Sequence, residues 1–446
     1  MSVLNITDFE IIGFYGIDLV HLLEENSANR FNSYRGNNTW LQELKNKVPN
    51  QGICNFNPPI FAKSKYAETD RIIRNTFSNY YVNNLMPLVF ELKEKVVTYR
   101  EYDDLFNIEI QSISISANGA VTVKIRAFKE NGGTITCIKE IIKGCRNYKN
   151  SINEKIRSLI NQFINVLNDY VKDKIKCKEI SISCFEQYVS YYEIIDFDYV
   201  TKEAEKMKIK SMCVDESYLR PLVALFRMNE SDFSNYDMNK ISDIKDNDHG
   251  NRVDELWAIN RDRLLRHHPY RKDEHNKRFF SDIVLGIEIL LQQKVVLQYL
   301  NQWIGTQSSR LRKVIDGKCE VNNDKIFPLI FEMVNIYDII SDSFIIQRNT
   351  NHAFFNLIIE KSIDNMHLKD ILCTNREMIS DLFSLLTYIS SQITTKTSIN
   401  IDNLTSSMEQ TGSKMKNLTI IMIFAVILQL VAAAMTIFIM IKNNIT

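Results

Sequence analysis

The most constraining feature is the stretch KMKNLTIIMIFAVILQLVAAAMTIFIMIKNNIT, in which Leu418 to Ile441 form a run of 24 residues without a charge. At about 1.5 Å per residue a helix of that length reaches about 36 Å, against a hydrocarbon core of about 30 Å. It is expected to span a bilayer once, with some tilt. Only Lys442 to Thr446 follow it, and the opening MSVLNITDFEIIGF lacks a cationic n-region and carries Asp8 and Glu10 early. That opening does not read as a secretory signal. The layout is that of a tail-anchored, single-pass protein with the bulk of the chain cytoplasmic. Lys414 and Lys416 before the span, against Lys442 after it, agree with that orientation.

A plain anchor has no need of Gln429 in its middle, or of Ala425, Ala432, Ala433 and Thr436 around it. Counting through the preceding stalk gives Ile401, Leu404, Met408, Thr411, Met415, Leu418, Met422, Ala425, Gln429, Ala432, Thr436 and Ile439. The steps alternate three and four, which is a heptad seam that enters the membrane without a phase break. Its aqueous part is mostly apolar, whereas its buried part turns to Ala, Gln, Ala and Thr. Lipid gives helices no hydrophobic reason to associate, so interfaces there use small residues and interhelical hydrogen bonds. The span is therefore expected to double as an oligomerisation element. A dimer or tight trimer would close the seam; a pentamer or larger ring would leave a lumen lined by Thr411, Gln429 and Thr436.

Lys and Arg total 54, as do Asp and Glu, so the net charge is zero. That balance argues against a general nucleic-acid binder, though not against a local basic patch. The eight cysteines show no CxxC pair and read as small buried hydrophobes of a reducing compartment. Glycine is scarce, at 13, and neither GxxxxGK[ST] nor GxGxxG occurs. No phosphate cradle of the P-loop or Rossmann kind is expected, and no cofactor is implied.

Residues 1–215 read as an α+β domain in which a β-meander carries packed helices. The meander is expected near 106–140, with turns at Asn118-Gly119 and Asn131-Gly132-Gly133, the former suiting a type I′ hairpin. Val121, Val123, Ile125 and Ala127 make one face of its central strand. A helix follows from Ser151, with the capping-box spacing to Glu154, and KEISISCF returns to strand. Residues 216–374 read as helical, with a polar and basic insert at 229–278. The stalk helix takes 375–417, the transmembrane helix 418–441 and a short tail 442–446.

MKNLTIIMIFAVI, Met415 to Ile427, resembles the stalk-to-first-span junction of the CorA-type divalent-cation transporters. The order of parts is similar too: an N-terminal α/β domain, a helical region, a long stalk, then a span. The resemblance implies a pentamer whose first span lines a pore. The family's Gly-Met-Asn loop and second span do not occur in the sequence, so architecture and a pore carry over, and selective magnesium transport does not. No metal-site residue of the family transfers.

NRDRLLRHHPYRKDEHNKR concentrates Arg263, Arg266, His268, Arg271, Lys272 and Arg278. Guanidinium groups match phosphate bidentately, so these residues are candidates for an anionic ligand such as a nucleotide, RNA or lipid headgroup. The plainer alternative is a solvated basic surface pairing with Asp243, Asp246, Asp248, Asp254 and Glu255 just upstream. Arg261 and His267 have the Arg-x5-His spacing of HEPN-type ribonucleases, in which such a pair cleaves RNA. No metal-ligand spacing is present among His267, His268 and His275, and DIKDNDHGN fails the EF-hand register.

The expected function is a membrane-anchored assembly whose cytoplasmic domain receives a signal or ligand and acts on the membrane, as a CorA-like pore or a membrane-perturbing defence effector. Its partners would be the bilayer, its own copies, an anionic ligand, and a further membrane or cytoplasmic subunit. The competing expectations are a membrane-tethered HEPN-like ribonuclease and a structural tether. Toxicity that depends on Gln429 would separate the first from the second, where it would depend on His267.

Overall fold

In the computed structural model, the residues described are 4–23, 39–47, 56–63, 86–93, 107–128, 161–163, 165, 190–201, 208–213, 215–227, 242–316, 329, 353–408, 426–429, 431–432 and 435. The strands are β1 (Leu4–Asp18), β2 (Ile60–Phe61), β3 (Leu88–Glu91), β4 (Asn107–Ile115), β5 (Ala120–Phe128), β6 (Ser190–Thr201), β7 (Leu256–Ile259) and β8 (Arg263–His267). The helices are α1 (Thr39–Lys47), α2 (Ile209–Met212), α3 (Glu216–Arg227), α4 (Ser242–Asn247), α5 (Glu274–Ile315), α6 (Ala353–Asn365) and α7 (Leu368–Met408). By contact the chain divides into two units, Met1–Tyr299 with Phe331–Leu372, and Leu300–Ile330 with Cys373–Thr446.

The first unit is built on one eight-stranded mixed sheet in the order β2-β3-β4-β5-β1-β6-β8-β7. Every pairing is antiparallel except β6 with β8, which is parallel. A parallel neighbour needs a crossover, and α2, α3 and α4 lie in the connection. Side chains alternate across the sheet, so each strand supplies two cores. On one face Phe9, Ile11, Tyr15 and Ile17 of β1 join Ile195, Phe197 and Tyr199 of β6. Val121, Val123, Ile125 and Ala127 of β5 fall in this same core. Covering it are Leu219, Leu222, Val223 and Phe226 of α3, spaced for one helical stripe. On the other face Ile12, Phe14, Tyr192 and Ile194 meet α5 and α6.

Helix α5 is buried nearly all round between Asp282 and Leu297. Its apolar residues lie on more than one side, so it is covered on more than one side. Leu291 and Val295 press on Gly16 of β1, while Gly286 takes Ile359 and Phe355 of α6. A polar pin fixes the helix along the sheet. The hydroxyls of Ser114 and Thr122 donate to Glu288 Oε1, and Gln292 Nε2 donates to both hydroxyl oxygens at 3.0 Å. Among the described residues α5 is the one helix long and apolar enough to cross a membrane, and most of its apolar stretch is buried within the protein.

The hairpin turn at Asn118-Gly119 differs from the expected type I′ in one respect. Only Gly119 has a positive φ, 83°, whereas type I′ needs two such residues. Ser116 takes over part of the closure: its hydroxyl accepts the Ala120 N–H at 3.0 Å. The expected third strand near 134–140, the helix cap at Ser151 and the strand KEISISCF lie outside the described residues. The insert 229–278 is not helical throughout, because β7 and β8 fall inside it and extend the sheet of the first unit.

In the second unit Asn375, Ile379, Leu382, Leu386 and Ile389 of α7 are buried at alternating steps of four and three. Asn301 of α5 donates to Asn375 Oδ1 at 2.8 Å, and Gly305 lies against Met378. Partner positions rise together along the two helices, so they run parallel. In the first unit, His367 adopts φ 57° between α6 and α7.

Candidate functional site

The basic segment 261–278 is resolved by the sheet into opposite faces. Arg263, Leu265 and His267 point to the α3 side, and Leu264 and Arg266 to the α5 side, as strand alternation requires. Arg263 is 4% exposed. Its Nε and Nη2 both donate to Glu193 Oε2, at 2.9 and 2.6 Å, and its Nη1 donates to the Phe226 carbonyl at 2.8 Å. His267 is equally enclosed. Its Nδ1 lies 3.0 Å from the Phe197 carbonyl, between the rings of Phe197 and Tyr199.

On the α5 side Arg266 is 1% exposed and donates to Asp196 Oδ1 at 3.2 Å. Its guanidinium lies over Phe280 at 4.0 Å and over Trp257 at 5.0 Å. Arg271 bridges Asp196, at 3.6 Å, to Asp8, at 3.2 Å, and Lys272 reaches the same Asp8 carboxylate at 3.7 Å. Further along, Glu10 accepts from Arg126, which also faces Glu109. The result is a strip of alternating charge over β4, β5, β1, β6 and β8. It contains four acids (Glu109, Glu10, Asp8, Asp196) and four bases (Arg126, Arg266, Arg271, Lys272). Burial pushes the Asp196 carboxyl up, against the pull of Arg266 and Arg271; burial likewise pulls Arg266 down, against Asp196.

His268 follows the strand and is held in a neutral form. Its Nδ1 accepts the Tyr270 N–H at 3.1 Å, which leaves Nε2–H to face Glu255 Oε1 at 3.3 Å. Burial first, then the positive charges of Arg266 and Arg252, lower its pKa to about 4. Arg252 closes this group from outside, 3.7 Å from Glu255. Below it Asp248 accepts the N–H groups of Gly250 and Trp257 and pairs with Lys210 at 3.1 Å. Arg278 sits on the exposed first turn of α5 and pairs with Glu274.

The sequence candidates for an anionic ligand are thus placed as follows. Arg263, Arg266 and Arg271 are enclosed and bonded to carboxylates, His268 is neutral, and Lys272 and Arg278 are exposed members of ion pairs. Their partners are mainly strand carboxylates of β1 and β6, and only Glu255 comes from the acidic stretch upstream. Arg261 and His267 do not meet within the chain. Arg261 is exposed on the β7–β8 turn and His267 is buried at the far end of β8, with a strand length of roughly 13 Å between.

Among the described residues no group of three or more His, Cys, Asp or Glu side chains gathers to hold a metal. Burial pushes the Cys213 thiol up to about 12, so it is a hydrophobe rather than a nucleophile. Of the membrane-seam candidates, Gln429 is helical and exposed and Ala432 is helical and half-buried. Thr411, Met422, Ala425 and Thr436 lie outside the described residues. No family model, curated protein or solved structure matches the chain.

Proposed function

We propose that this chain is a membrane-anchored, self-assembling protein in which the sheet-bearing unit receives a signal and α7 carries it to the bilayer. The observation behind the reading is the extent of α7, helical from Leu368 to Met408 without a break, its last described residue standing ten positions before Leu418. Segment 418–441 is the span. Gln429 supports association: it is helical and exposed on the single chain, and in hydrocarbon an amide needs a partner. The same position on a neighbouring copy supplies one. Five or more copies leave a lumen along Thr411, Gln429 and Thr436, the CorA-like arrangement, through which the assembly permeabilises the membrane. Fewer copies close the seam. The partners of this assembly are lipid and further copies of the chain, with room for a second membrane or cytoplasmic subunit.

Fractionation tests the anchor. The full chain is expected to stay with membranes washed at alkaline pH, and a chain lacking 418–441 to be released. Release of the full chain by the same wash would end the proposal.

A further inference from the structure

We draw no further inference here: the strongest candidate, the buried polar cluster in which Glu288 and Gln292 of α5 meet Ser114 of β4 and Thr122 of β5, bonds its donors to its own oxygens and is the pin already described, which fixes the helix along the sheet.

Discussion

Arg263 and Arg266 stand three residues apart on one strand, so they point to opposite faces and each must find its own carboxylate. Arg263 meets Glu193 with almost no water in reach. Removing one member of such a pair leaves a buried charge alone, at a cost of about 3–5 kcal/mol. Arg263→Met is therefore expected to lower unfolding free energy by that order in denaturant titration. Adding Glu193→Leu should restore most of it, since an apolar pair of similar volume fills the same space. His268 predicts a pH effect. Its folded pKa is about 4 and its unfolded value about 6.5. Between these the unfolded chain binds a proton that the folded chain does not, so stability falls as pH drops from about 6.5 toward 4. Buried carboxyls such as Asp196 and Glu255 shift the opposite way, so the contribution is read by difference. The gap in stability between wild type and His268→Gln should change in favour of the variant between about pH 7 and about pH 5. An unchanged gap would mean the imidazole is not held neutral.

At the scale of elements, legibility followed periodicity. The stripe Val121, Val123, Ile125, Ala127 could be read directly, because it repeats with the period of a strand. Strands β1 and β6 could not. They lie near the centre of the sheet with both faces covered, so apolar residues occupy both parities and alternation disappears. Asp8 and Glu10 looked like marks of a polar N-terminus, and in the structure they anchor the ion-pair strip. The hairpin β7–β8 was hidden for a related reason. Its arginines resembled a solvated patch, whereas their carboxylates stand about seventy positions earlier in sequence, at the same |i−j| of 70 for both pairs. That equal spacing is the signature of parallel pairing between β6 and β8, and only the fold reveals it. The junction of α6 and α7 offers a test. His367 holds a left-handed φ that costs a non-glycine residue about 1 kcal/mol. His367→Gly should raise thermal stability by that order, at the small expense of the contact from its Nδ1 to Asp370. A fall in melting temperature would show that the imidazole contact outweighs the backbone strain.

For the whole molecule, α5 and α7 are the longest helices described, and in the proposed function they are the link between recognition and the membrane. Each begins in the first unit and continues, unbroken, into the second. The polar pair Asn301–Asn375 at their contact resists a register slip, because any shift would bury two unpaired amides. Within the second unit this pair holds α5 and α7 in one register. The most direct measurement is the oligomeric mass of the full chain extracted into nanodiscs, wild type beside Gln429→Leu. The account predicts a defined oligomer of the wild type that loses copies when the amide is replaced. A monomer in both chains, or an oligomer indifferent to Gln429, would contradict it.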